Sequence, residues 1–220
     1  MYNITVSEEI KKACPVFKGA AVYAEVTNSA FSQGLWDEIN AFTKELTTTT
    51  PDDIKQQPAI AATREVYKRC GKDPSRYRPS AEALRRRLMR GLELYRIDTL
   101  VDLINLVSLR TGYSIGGFDA DKIQGNNLEL GVGRAEEPFE GIGRGTLNIE
   151  GLPVYRDLTG GIGTPTSDNE RTKMGLETRH ILAIVNGYSG CDGLAEAAGM
   201  IQELLRKYAA SDGGTVHYFD

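Results

Sequence analysis

Thirteen of the 24 glycines in this 220-residue chain fall between Gly112 and Gly163, and no other feature limits its folding as strongly. Glycine loses more backbone freedom than any other residue in a helix and supplies positive φ at turns, so such a stretch reads as short strands joined by tight turns. Asn127 to Val132 and Thr146 to Ile149 alternate as strands would. The flanks carry a different period. Leu35, Ile39, Phe42 and Leu46 recur at helical spacing before a stop in the Thr47 to Thr50 run, and Asp52 and Asp53 suit the first turn of another helix. A helix over Ala59 to Cys70 ends at Gly71, Ser80 is placed to cap a helix reaching Arg90, and Ile97 to Leu109 is apolar nearly all round, as a buried helix would be. Leu194, Ala198, Ile201, Leu205 and Tyr208 mark a helix over Asp192 to Ala209, and Ala20 to Val26 reads as a strand. Helices before strands, without strict alternation, predict an α+β fold.

No apolar run approaches the roughly 20 residues of a membrane span. The N-terminus, Met1 to Glu9, is polar and carries acids where a secretory signal would be basic and then apolar, which points to the cytoplasm. Cys14, Cys70 and Cys191 are far apart and odd in number, so they read as reduced, mostly buried thiols. With His180 and His217 as the two histidines, and no H-E-x-x-H, C-x-x-C or Walker A pattern, neither a metal nor a cofactor is expected. Gly187-Tyr188-Ser189-Gly190-Cys191 stops one residue short of a nucleophile elbow and reads better as a turn into the last helix. The glycine clusters at 141–145 and 160–163 lack the third glycine of a dinucleotide fingerprint and read either as anion-binding nests or as plain turns.

The net charge is −4, yet residues 64 to 90 hold ten bases against three acids. Arg76, Tyr77 and Arg78 interleave an aromatic ring with guanidiniums, as RNA-contacting surfaces do, while Arg85, Arg86 and Arg87 must fan around one helix. Nucleic-acid contact and an ordinary solvated helix both fit this pattern.

The run Thr99-Leu100-Val101-Asp102-Leu103-Ile104-Asn105-Leu106-Val107, continued by Gly112-Tyr113-Ser114-Ile115-Gly116-Gly117-Phe118-Asp119, resembles the B3/B4 domain of the phenylalanyl-tRNA synthetase β subunit. That family reads V-D-V-T-N-Y-V and then G-Q-P-L-H-A-F-D. Gly145 to Asp157 and Gly163 to Thr178 resemble its later part, so the likeness spans about Ser75 to Tyr188. It implies a mixed-sheet core flanked by helices, divided as an N-terminal extension over 1–74 packed on a B3/B4-like unit over 75–220 that includes the C-terminal helix. In the family this domain edits: tyrosine wrongly esterified to tRNA is hydrolysed off by a positioned water, without metal. Selection works because a site that satisfies the tyrosyl hydroxyl is left with unpaired polar groups when phenylalanine enters.

Carried onto this chain, the resemblance implies a substrate pocket at Asn105, Gly116 and Gly163, joined by Thr164, Thr166 and Asp168 of the polar run that follows. In the same picture Arg76, Arg78, Arg85 and Arg86 of the basic segment make the RNA contacts. It leaves the catalytic group unassigned, because the family's histidine falls on Gly116, its glutamate on Ile184, and the threonine before the asparagine on Ile104. Two functions follow as expectations. One is a free-standing editing-type domain that binds tRNA and hydrolyses a mischarged ester in trans; the other is a non-catalytic module holding a free amino acid or small metabolite in the same pocket.

Overall fold

The computed structural model describes residues 2–46 and 50–220. In chain order the elements are β1 (Asn3–Val6), α1 (Glu8–Ala13), β2 (Lys18–Glu25), α2 (Gln33–Glu45), α3 (Pro51–Gln56), α4 (Pro58–Arg69), α5 (Ser80–Met89) and α6 (Thr99–Thr111). There follow β3 (Ile115–Asp119), β4 (Asn127–Val132), β5 (Glu140–Gly141), β6 (Gly145–Thr146), β7 (Pro153–Arg156), β8 (Gly161–Gly163), β9 (His180–Gly187), α7 (Leu194–Tyr208) and β10 (Thr215–Phe219). The fold is α+β, with strands concentrated after α6 as the glycines require.

Two four-stranded sheets carry it. One runs β10-β2-β9-β3 and is antiparallel throughout. The other runs β1-β4-β7-β8, with β1 parallel to β4 and the remaining pairs antiparallel. Strand periodicity sorts the first sheet into two buried faces. Ala20, Val22 and Ala24 of β2 and Ile181, Ala183 and Val185 of β9 meet Leu35 and Ile39 of α2, Leu103 and Leu106 of α6, and Ala198 and Ile201 of α7. The intervening Ala21, Leu182, Ile184 and Phe118 meet Leu128, Leu130, Tyr155 and Ile162 of the second sheet. The layers are therefore helices, sheet, sheet. Strand β9, in the interior of this sheet, is buried on both faces, which explains why it reads as a continuous apolar run.

Two strands from the first 74 residues are woven into these layers. β1 pairs with β4 at the edge of one sheet, and β2 is an interior strand of the other.

Several local expectations need correction. Of Thr146 to Ile149 only Thr146 is strand, as the second residue of β6, and the chain runs irregularly to a turn at 150–151. Ser80 is the first residue inside α5, not its cap, and Pro79 precedes it with no side-chain capping bond. The last helix starts at Leu194 behind Gly193, whose φ of 80° serves as its cap, so Ser189 lies outside it. Cys191 is exposed, while Cys14 is buried and Cys70 half-buried. Thr50 caps α3 through a reciprocal bond with Asp53, whereas Thr47 to Thr49 lie outside the described residues.

Candidate functional site

Helix α6 is the beam on which the site is built. Asp98 caps it by accepting from the Val101 N–H at 2.9 Å, and Gly112 ends it with φ of 80°. Asp102, buried on its inner side, accepts from the Trp36 indole at 2.7 Å and from the Ile97 N–H at 3.2 Å. Burial raises the Asp102 pKa, with the Trp36 and Ile97 bonds opposing. These bonds fix the chain where it enters the helix.

On the opposite face of α6, Val101, Ile104, Asn105 and Ser108 stand at i, i+3, i+4 and i+7 and line a cavity of about 410 Å³. Ile115 and Gly117 of β3 form its floor, Ser80 at the start of α5 one side, and Ile97, Ile142, Met174 and Lys173 its rim. The remaining wall is the loop after β8, with Thr164, Ser167 and Asp168. That loop is held by its own side chain: Thr164 Oγ1 accepts from the N–H groups of Thr166 (3.2 Å) and Ser167 (3.1 Å) and donates to Ser167 O at 3.0 Å. The Ser80 N–H donates to Pro165 O at 2.8 Å, tying α5 to the same loop.

Asp168 is the carboxylate of this cavity. The Gly117 N–H donates to its Oδ2 at 3.0 Å, and no cation pairs with it among the described residues. One side opens on the cavity, so the residue keeps some accessible surface, but protein packs closely around the carboxyl. Desolvation pushes its pKa up to about 7, with the single Gly117 bond acting in the other direction. Lys173, at the rim, is an ion-pair partner of Glu170. The Asn105 side chain makes no hydrogen bond to another described residue and remains available to a ligand.

Of the pocket residues expected from sequence, Asn105, Thr164 and Asp168 therefore surround one cavity, with Thr164 already occupied in shaping the loop. The other three do not line it. Thr166 turns away and shares a hydrogen bond of 2.9 Å with the fully buried Tyr67 hydroxyl. Gly163 forms a bridge with Asp168, and a Cβ there would lie 2.6 Å from the Phe118 ring and 2.7 Å from Asp168 Oδ1. A Cβ on Gly116 would approach the same ring to 2.7 Å. Gly116 and Ile184 are cross-strand partners in the β3–β9 register, and both belong to the face turned toward the second sheet. The two positions that carry histidine and glutamate in the resembling family are thus one buried pair, closed off by Phe118. Gly161 to Gly163 is a buried strand, so the loop facing the cavity begins at Thr164.

The basic segment divides. Arg85 is buried, and its guanidinium donates to the carbonyl of Leu109 in the last turn of α6, where a cation also suits the helix dipole. Arg86 donates from Nε to Glu82 at 2.7 Å, and Arg64 donates to the same fully enclosed carboxylate at 2.8 Å. Neither Arg85 nor the anchored edge of Arg86 is free as the sequence reading required. Arg76 and Arg78 are exposed. Tyr77 is covered by Lys72, whose Nζ lies 3.8 Å from the ring centre.

Sequence reasoning missed Ser108, Gly117, Ser167 and Met174. Ser108 and Val101 were detectable, since they continue the stripe of Asn105 along α6, and Gly117 shares a strand face with Ile115. Ser167 lay within the polar run after Gly163 without being singled out, and Met174 carried no such signal.

A family model described as the B3/4 domain matches residues 62–204. Among solved structures, an N-terminal fragment of the phenylalanyl-tRNA synthetase β subunit from Pyrococcus horikoshii is similar to this chain with a TM-score of 0.50 at 14% identity. The similarity covers 97% of this chain and 50% of that one, so the chain spans about half the length of the fragment. A search of curated protein sequences gave no match. At that identity the structural likeness speaks for the fold alone, and the family match, over more than half of the sequence, makes the chain a member of the B3/4 domain family.

Proposed function

We propose that the cavity receives the aminoacyl end of a charged tRNA and hydrolyses its ester, acting in trans. The observation that carries this is Asp168: a desolvated carboxylate with one oxygen unpartnered, at a chamber whose surface is mostly apolar, beside the uncommitted amide of Asn105. A general base works best with a pKa near the operating pH, and burial has moved this one there. In the step proposed, Asp168 takes a proton from a water whose oxygen attacks the ester carbonyl carbon. The Asn105 amide donates to the carbonyl oxygen as charge develops on it. The bond from carbon to the ribose oxygen then breaks, and that oxygen recovers the proton from Asp168. Ile104, Ile115 and Met174 supply an apolar bed for the amino-acid side chain. Selection of tyrosine through the family's histidine and glutamate has no counterpart here, since Gly116 and Ile184 lie in the core.

The test is deacylation of a panel of misacylated tRNAs. Wild type should release at least one amino acid at a rate that rises with pH through about 7. Asp168→Asn should lose roughly 10²- to 10⁴-fold. Rates at the uncatalysed background for every tRNA would remove the proposal.

A second reading, a module that binds a free amino acid, is favoured by the internal commitment of Arg85 and the anchoring of Arg86. Thermal shifts with free amino acids, together with no RNA retention at moderate salt, would select it.

A further inference from the structure

We propose that a groove along α5, walled by Arg78, Arg86, Arg87 and Arg90, is the track for the phosphates of a single RNA strand whose end enters the cavity past Ile97. The inference deepens the aminoacyl-RNA reading of the cavity and rests on it.

The four guanidiniums line a notch of about 130 Å³ together with Ala83 and Leu92, with no acid among the lining residues. Ala83, Arg86, Arg87 and Arg90 make one stripe of the helix, and Arg78 precedes its first turn. Like charges so gathered repel one another, and two of them are held in place at that cost. Arg86 is anchored through Nε to the buried Glu82 at 2.7 Å. Arg87 donates from Nε to Glu93 O at 2.5 Å and stacks on Tyr95, 3.8 Å from the ring centre. Both anchors use the Nε edge and leave the terminal amino groups uncommitted, a planar fork suited to phosphate oxygens. Arg78 and Arg90 are exposed, with no side-chain partner among the described residues.

The surroundings favour a nucleic-acid strand over an acidic peptide. Tyr95 is 67% exposed, and with Arg87 on one face its other face is open to a base. A duplex keeps its base faces stacked inside, so an unpaired strand is the form that can use this ring. The chain leads from one to the other: Leu92 lines the notch, Tyr95 stands three residues on, and Ile97, 56% exposed, lines the cavity. On the other side Arg78 lines the notch and Ser80, two residues on, lines the cavity. The ten residues of α5 span roughly 15 Å, the reach over which successive phosphates would be met.

The probe is a labelled, unacylated single-stranded RNA of about ten nucleotides, within the usual site size for such surfaces, titrated by fluorescence anisotropy over a range of salt. Each neutralised phosphate contributes about −0.7 to the slope of log K against log salt, so wild type should show about −3. Arg78→Ser and Arg90→Ser, both at exposed positions, should each bring the slope about 0.7 closer to zero. Tyr95→Ala should weaken binding by about fivefold or more at unchanged slope, the signature of lost stacking. Slopes that ignore both arginine substitutions, equal affinity for duplex RNA or polyglutamate, or no binding at low salt would each overturn the proposal. Thermal shift with amino-acid methyl esters, run on the same variants, reads the cavity separately. RNA binding with the expected slopes but no ester binding would sink the cavity reading and leave the track standing, and ester binding without RNA binding would do the reverse.

Discussion

Replacing Asp168 with asparagine should change how the stability of this protein depends on pH, by an amount the structure sets. Burial holds the folded carboxyl at a pKa of about 7 against an ordinary 3.8. Because the folded pKa is the higher one, the neutral acid's contribution is fully present below pH 3.8, declines as pH rises, and is gone above about 7. At about 1.36 kcal/mol per pH unit the difference is at most about 4 kcal/mol, and the open side facing the cavity screens the charge and brings it to about 2 kcal/mol. Asparagine keeps the shape, can still accept from the Gly117 N–H, and never ionises. Below about pH 3.8 the two proteins should therefore melt together. At pH 8.5 the variant should melt about 4–8 °C higher, given roughly 2–4 °C per kcal/mol for a domain of this size. Melting curves of both proteins across this range make the comparison, and every other titrating group cancels in the difference. A constant gap at all pH values would refute the desolvated carboxyl, and with it the case for Asp168 as a base. The same substitution should slow deacylation by roughly 10²- to 10⁴-fold, so gained stability and lost activity would report the same buried charge.

Other outcomes follow from neighbouring contacts. Glu82→Gln strands the guanidiniums of Arg64 and Arg86, whose side chains are 13% and 14% exposed, and should cost about 3 kcal/mol in urea unfolding; a loss under about 1 kcal/mol would mean that the pair is not coupled. Gly116→His, which restores the family's residue, should fail to restore a family-like site: the new Cβ meets Phe118 at 2.7 Å, so about 1–3 kcal/mol of stability is lost with no gain in deacylation, and a faster enzyme would show that the side chain reaches the cavity after all. Tyr67→Phe leaves the buried Thr166 hydroxyl without its partner and should lower stability by about 1–3 kcal/mol while sparing the cavity, which ester binding would check.

Local periodicity made much of the framework legible. The stripe of Leu35, Ile39 and Phe42 gave α2, the all-round apolarity of Ile97 to Leu109 gave α6, and Asn127 to Val132 is strand β4 to the residue. These signals survive in a linear sequence because each is a repeat of three to four or of two along one element. β1 and β10 gave no comparable signal. Their pairing partners lie at Leu128 and Val22, far away in the chain, and a short strand acquires its stability from such a partner.

Amino-acid order alone determined that a buried helix runs over Ile97 to Leu109 and that a polar run follows Gly163, which is why Asn105, through its family motif, and Asp168, through that run, were reachable as candidates before any coordinates. Tertiary packing decided the rest. A strand offers two faces, and which one looks into a cavity depends on what covers the other; here the second sheet and the Phe118 ring took the face bearing Gly116 and Ile184. Three consecutive arginines are equivalent on paper, yet Arg85 was drawn inward to a carbonyl of α6, Arg86 turned to the enclosed Glu82, and Arg87 lay against Tyr95. The pKa of Asp168 likewise belongs to no local pattern, because desolvation is a property of everything that surrounds a group in space.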